Sequence, residues 1–121
     1  MKIAISSLGE NLDSQVDPRF GRCQFLIFFD TDTEKFETEK NANIMAQGGA
    51  GIQTAQAVAD KNAEVVITGH LGPNAIKTLH AAGIKTYGNA SGTVKQVISD
   101  YKAGKLQELL NADLLPGHQG K

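Results

Sequence analysis

The second half of the chain alternates short apolar segments with segments of helical periodicity, and this alternation restricts the folds available to it. We predict helices at Gly51–Lys61, Pro73–Ala82 and Gly92–Lys102, and strands at Glu64–Thr68 and Ile84–Tyr87. Alternating strands and helices are typical of parallel strands joined by right-handed helical crossovers. This half of the chain is therefore expected to form part of an open α/β sheet.

The first half of the chain contains strand patterns but no helical pattern. We predict strands at Lys2–Ser6, Gln24–Phe29 and Glu34–Lys40. Strands that no helix connects are expected to be antiparallel neighbours. Both halves fit a single-domain α/β fold with a five-stranded mixed sheet. Its strand order is 3-2-1-4-5, its second strand is antiparallel and its helices pack on the sheet, as in the ribonuclease-H-like arrangement.

Composition excludes several classes of protein. The net charge of −1 argues against a nucleic-acid-binding protein, which usually carries a basic excess. The longest apolar run, Phe25–Phe29, is far too short to span a membrane, and Ile3–Ile5 gives way to Ser6 too early for a signal peptide. The lone Cys23 cannot form an intrachain disulfide, which fits a reducing compartment. We therefore expect a cytoplasmic protein that binds neither nucleic acid nor membrane.

A long polar connection, Ser7–Arg22, follows the first strand, and loops of this length are usually functional or disordered. It starts and ends at the sheet edge where the glycine-containing connections Gly48–Gly51, Gly69–Pro73 and Gly88–Gly92 are also expected. Three helix N-termini should therefore face Arg19–Cys23. Because helix N-termini offer free N–H groups and positive dipole ends, we predict a pocket for a compact anion.

The charged and sulfur-containing residues of this segment allow two interpretations each. Arg19 and Arg22 either add positive charge to the pocket or pair with Asp13 or Asp17. Cys23 is either a small core residue or one soft metal ligand, since a single thiolate cannot build a closed zinc or iron–sulfur site.

The histidines and carboxylates give little support to catalysis. His70 follows the fourth strand beside the expected crevice and is a candidate metal ligand or hydrogen-bond donor, whereas His80 fits a structural role and His118 a solvated one. Nucleases of the ribonuclease-H-like type need strand carboxylates for two metal ions, and the strand Lys2–Ser6 carries none. We therefore predict a protein that is not an enzyme.

Three segments resemble one known family. Asp17–Arg22 followed by Phe25, Gly48–Ile52 and Thr68–Ala75 resemble the signatures of the dinitrogenase iron–molybdenum cofactor biosynthesis family, of the NifX, NafY and NifB C-terminal type. The likeness is greatest to its small stand-alone members, such as the orange protein of sulfate reducers. It covers about residues 1–103, which would form a metal-cluster-binding domain. Residues 104–121 would be a partly mobile C-terminal extension.

The resemblance implies a ribonuclease-H-like fold and non-catalytic binding of an anionic metal–sulfur cluster, as a carrier, store or scaffold. The metal ligands it suggests are Cys23 and His70. The residues it places around the cluster are Arg19, Phe20, Gly21, Arg22, Gly49, Ala50, Gly51, Ile52, Leu71, Gly72, Pro73 and Asn74.

One residue departs from the family pattern. Members that carry the cofactor commonly have His where this chain has Arg19, and arginine does not coordinate metals at ordinary pH. This departure argues against direct carriage of the iron–molybdenum cofactor. The resemblance then implies electrostatic holding of an anionic cluster, of the molybdenum–copper or iron–sulfur type, or of an oxyanion, with Cys23 as the candidate for a single soft ligand.

Two other functions fit the sequence. One is an adaptor for cluster-assembly or cell-division ATPases, which would use the edge strand Glu34–Lys40. The other, ranked lower, is an enzyme acting on a phosphorylated small molecule. We expect a monomer or a weak homodimer.

Overall fold

The computed structural model describes residues 1–110, which form six strands and three helices around one mixed sheet. The helices are α1 (Ala50–Asp60), α2 (Pro73–Ala81) and α3 (Val94–Lys102). The strands are β1 (Lys2–Ser7), β2 (Phe25–Asp30), β3 (Phe36–Lys40), β4 (Val65–Ile67), β5 (Lys85–Gly88) and β6 (Gln107–Glu108).

The sheet has the order β3-β2-β1-β4-β5-β6. β2 is antiparallel to both β1 and β3, whereas β4 is parallel to β1 and β5 is parallel to β4. The predicted order and directions of the first five strands are therefore confirmed.

The predicted number of five strands is wrong, because β6 adds a sixth strand antiparallel to β5. Gln107 and Glu108 carry no strand pattern, and contacts made by the next residue hold them in place. The Leu109 N–H donates to the Thr86 carbonyl at 2.8 Å, and the Thr86 hydroxyl donates to the Leu109 carbonyl at 2.9 Å. The start of the C-terminal extension thus completes the sheet. The predictions for His118 and for a mobile tail concern residues outside 1–110.

The helices cover the two faces of the sheet unequally. α1 and α2 pack on one face, where Val58 and Leu79 join a core with Leu26 and Phe28 of β2. α3 packs on the other face, where Val97 lies in a second core. β2 contributes to both cores, as its continuous apolar sequence predicts.

The connection between β1 and β2 folds back on the sheet. The Leu8 N–H donates to the Gln15 carbonyl at 2.9 Å, and the Val16 N–H donates to the Gly92 carbonyl at 2.9 Å. The first part of the connection is therefore tied to the start of α3. The second part begins at Asp17, whose N–H donates to the Ser6 carbonyl of β1 at 2.9 Å. No helix within the described residues is long and apolar enough to cross a membrane.

The two neighbouring leucines after β6 test whether that strand belongs to the fold. Leu109 is buried in the core of α1 and α2, whereas Leu110 is 61% exposed. We expect Leu109→Ala to lower the free energy of unfolding by about 2–3 kcal/mol, since it removes a buried side chain. Leu110→Ala should change it by less than about 0.5 kcal/mol. Urea denaturation measures both, and equal effects would contradict the observed packing.

Candidate anion-binding cleft

A cleft of about 260 Å³ lies where α1 and α2 begin, next to the end of the Asp17–Cys23 segment. Its lining residues are Phe20, Gly21, Gly49, Ala50, Gly51, Ile52, Gly72, Pro73, Asn74 and Ala75. All of them except Ala75 are among the residues predicted to surround a cluster. Ala75 closes the sequence motif that contains Asn74, so its place in the first turn of α2 could have been inferred.

The first turns of α1 and α2 present backbone N–H groups that have no acceptor among residues 1–110. The first N–H groups of a helix have no partner within it, and the residues preceding these two helices, Gly49 and Gly72, have no side chain to supply one. The free donors are the N–H groups of Ala50, Gly51, Ile52, Asn74 and Ala75. Together with the positive ends of two helix dipoles, they suit an anion.

The first backbone N–H groups of α3 have acceptors within the described part of the chain, unlike those of α1 and α2. Its Val94 N–H donates to the Ser14 carbonyl and its Lys95 N–H to the Leu12 carbonyl, both at 2.9 Å. The Thr93 hydroxyl caps the next N–H of the helix at 3.0 Å. α3 also lies on the opposite face of the sheet. The prediction that three helix N-termini converge is therefore wrong, and two converge.

Close backbone approach explains one of the glycines in the cleft but not another. A Cβ on Gly21 would lie 2.8 Å from the backbone nitrogen of Gly51, so glycine is needed there to let the segment contact α1. Gly72 has φ of −75° and ψ of 163°, which any residue can adopt. A Cβ on Gly72 would have no atom within 4 Å, so the fold itself does not require glycine at this position in the cleft wall.

Two buried polar side chains fix the wall of the cleft at Gly21 by hydrogen bonds. The Gly21 carbonyl accepts hydrogen bonds from the Asn41 amide at 3.1 Å and from the Thr54 hydroxyl at 2.8 Å. Thr54 belongs to α1 and Asn41 follows β3. The wall is therefore fixed relative to both the helix and the sheet.

The carboxylate of Asp17 organises the whole segment. It is fully buried and accepts hydrogen bonds from the backbone N–H groups of Arg19 at 3.0 Å and Gln24 at 2.9 Å. The guanidinium of Arg19 adds two hydrogen bonds, each of 3.1 Å, one to each carboxylate oxygen. Two roles were predicted for Arg19, and the structure shows the second: Arg19 pairs with Asp17. It does not line the cleft.

Arg22 is placed differently from Arg19. Its guanidinium is exposed and donates to the Ile44 carbonyl at 2.9 Å, and no carboxylate of the described residues lies within 4 Å of it. It does not line the cleft, but it directly follows Gly21, which does. Arg22 is therefore a positive charge next to the cleft that no nearby carboxylate among residues 1–110 neutralises.

Cys23 lies in the core and does not line the cleft. Its side chain is fully buried with Phe20 and Leu26, and its sulfur accepts a weak hydrogen bond from the Asn41 amide at 3.6 Å. Burial, with a smaller contribution from the negative charge of Asp17, raises the pKa of the thiol to about 12. A neutral, enclosed thiol is a poor metal ligand.

The remaining predicted site residues lie beside the cleft. His70 is exposed and its backbone pairs with the segment, donating to the Pro18 carbonyl at 2.8 Å and accepting from the Phe20 N–H at 3.3 Å. Leu71 is buried in the core, and so is the side chain of Phe20, which anchors the segment. Within residues 1–110, no three His, Cys, Asp or Glu side chains are grouped to hold a metal ion.

The sequence profile of the family described as "Dinitrogenase iron-molybdenum cofactor" matches residues 1–104. The chain belongs to this family. The comparison with curated proteins found no match.

Solved structures with the same fold include two at 37% sequence identity. One is the apo form of the orange protein from Desulfovibrio gigas, with a TM-score of 0.88 over 91% of this chain and 93% of that one. The other is a putative NifB protein from Thermotoga, with a TM-score of 0.79 over 89% and 92%. A putative dinitrogenase from Methanocaldococcus jannaschii, at 20% identity and a TM-score of 0.66 over 92% and 96%, shares the fold.

The hydrogen bonds of Asp17 lead to a prediction about stability. Asp17→Ala would leave the partly buried N–H groups of Arg19 and Gln24, and the Arg19 guanidinium, without their acceptor, so we expect the free energy of unfolding to fall by about 2–3 kcal/mol. Asp13→Ala is the matched control, because the exposed Asp13 side chain makes no hydrogen bond within the described residues. Chemical denaturation would contradict this role if both substitutions had the same small effect.

Burial of Cys23 leads to a prediction about pH. The unfolded thiol has its ordinary pKa of 9.0 and the folded thiol one of about 12, so above pH 9 the unfolded state loses the proton first. The free energy of unfolding should therefore fall as pH rises through this range, by about 1.4 kcal/mol at pH 10. Cys23→Ala should lack this part of the pH dependence. Denaturation curves at pH 8 and pH 10 measure it, and identical pH dependence in both proteins would rule it out.

Proposed function

We propose that this protein binds an anionic metal–sulfur cluster in the cleft between α1 and α2, as a carrier, store or scaffold that does not catalyse a reaction. Family membership and the 37% identity with the orange protein support a role in handling such a cluster. We further infer that the strand order is a ribonuclease-H-like arrangement extended by β6.

The observation that carries this proposal is the difference between the helix N-termini. The N–H groups of α3 are satisfied by the chain itself, while those of α1 and α2 are left free around a shared cleft. Leaving donors free at two neighbouring helices is useful when an outside acceptor occupies them. The sulfides of an anionic cluster, or the oxygens of an oxyanion, can accept these hydrogen bonds.

The cleft offers hydrogen bonds and charge, and none of the side chains lining it is a usual metal ligand. We therefore propose that the cluster enters preassembled and is held without a bond from protein to metal. The backbone donors of Gly51 and Ala75 and their neighbours would contact it, and Arg22 would add positive charge at the side. Cys23 would have a structural role in the core, and His70 would not contact the cluster.

The cargo is proposed by its chemistry: a compact, negatively charged molybdenum–copper or iron–sulfur cluster. A protein that holds such a cargo through hydrogen bonds can release it without breaking a coordinate bond. We propose that its partners are the proteins that assemble the cluster or receive it.

Gly72 allows a direct test, because it holds the N-cap position of α2 in the extended conformation that N-cap aspartates adopt. In Gly72→Asp, the new carboxylate should accept hydrogen bonds from the free N–H groups of α2. Those groups would then be unavailable to the cluster. We expect the affinity for a tetrathiomolybdate–copper cluster to fall at least about tenfold, as loss of one charge-assisted hydrogen bond implies. Visible absorption during titration of the apo-protein measures uptake.

Gly48→Asp is the control, since it adds the same charge nearby, at a glycine that does not line the cleft and has no atom within 4 Å of its added Cβ. It should leave the affinity within about twofold of that of the unaltered protein. If Gly72→Asp stays folded and takes up the cluster normally, the cleft is not the site. If the unaltered protein takes up no cluster, the proposed function is wrong.

A further inference from the structure

A second cavity, of about 300 Å³, lies on the opposite face of the sheet beside α3. Its floor is apolar and consists of Leu12 from the β1–β2 connection, Phe29 from β2 and Ile98 from α3. These three side chains pack in or against the core beneath α3, so the floor is continuous with that core. Neither its walls nor its floor share a residue with the cleft described above.

The rim of this cavity carries an excess of positive charge. Lys95 and Lys102 lie seven residues apart on α3, which places them on one side of the helix about 10 Å apart along its axis. The Lys102 ammonium lies 3.5 Å from a carboxylate oxygen of Glu34 and 5.7 Å from the ring centre of Phe29. Lys95 has no carboxylate within 4 Å among the described residues.

Glu34 holds an unusual position in this arrangement. It lies in the turn between β2 and β3 with a φ of 60°, a conformation in which glycine or asparagine is usual and glutamate is strained. The predicted third strand started at Glu34, and the observed strand starts two residues later because of this turn. The carboxylate of Glu34 reaches the rim of the cavity and pairs with one of its two lysines.

We propose that the cavity beside α3 binds a small organic anion with an apolar body and one carboxylate, such as a medium-chain fatty acid. The body would lie on Leu12, Phe29 and Ile98, and the carboxylate would pair with Lys95. A mainly apolar cavity with a few polar groups is the usual form of a small-molecule site, and 300 Å³ is at the small end of that range. Glu34 would oppose binding, because its charge repels the carboxylate and already engages Lys102.

Isothermal titration calorimetry with octanoate tests the proposal, with octanamide as the uncharged probe of equal length. We expect octanoate to bind and octanamide to bind more weakly. Lys95→Gln should weaken octanoate binding about fivefold, the upper end for an exposed ion pair. Glu34→Gln should strengthen it, because it removes the repulsion and releases Lys102 while the backbone turn is retained.

Lys105→Gln is the matched control, since it removes the same charge from an exposed lysine that does not line the cavity. It should leave octanoate affinity within about twofold of that of the unaltered protein. The proposal is overturned if octanoate does not bind, if octanamide binds equally well, or if Lys105→Gln weakens binding as much as Lys95→Gln does. Gly72→Asp should not affect octanoate binding, so the two sites are tested independently.

Discussion

The buried carboxylate of Asp17 is the interaction on which the candidate site depends. A charged group without exposure to water needs several hydrogen-bond donors, and this one receives them from both ends of the segment that follows it. The bonds to Arg19 and Gln24 force the chain between them into a closed turn. That turn places Phe20 in the core and Gly21 against α1. Arg19 thus acts as the counter-ion of Asp17.

The cleft is built from backbone more than from side chains. Gly21 can contact α1 only because it has no Cβ, and the Asn41 and Thr54 side chains then hold its carbonyl in place. The same absence of side chains leaves the first N–H groups of α1 and α2 open toward the cleft. A site of this kind would suit the cargo that we propose, since hydrogen bonds to N–H groups exchange more readily than bonds to metal.

Much of the fold could be predicted because periodicity and connectivity are local properties of the chain. The helical spacing around Val97 identifies α3, the continuous apolar run around Ile27 identifies a strand covered on both faces, and the short connections limit the strand order. β6 could not be predicted, since Gln107 and Glu108 form a strand only because Leu109 is fixed by Thr86. The glycines between strands and helices indicated the edge of the sheet at which the cleft lies, whereas its individual lining residues were implied by the family resemblance.

The sequence by itself determined the order of the elements and the edge of the sheet at which their connections meet, because both follow from spacing along the chain. Only the tertiary structure decided which face each helix covers, and with it that α1 and α2 share a cleft while α3 is capped by the chain. It also decided the partners of Arg19 and the burial of Cys23. Charge pairing and desolvation depend on distances across the fold, and the spacing of residues in a sequence does not contain those distances.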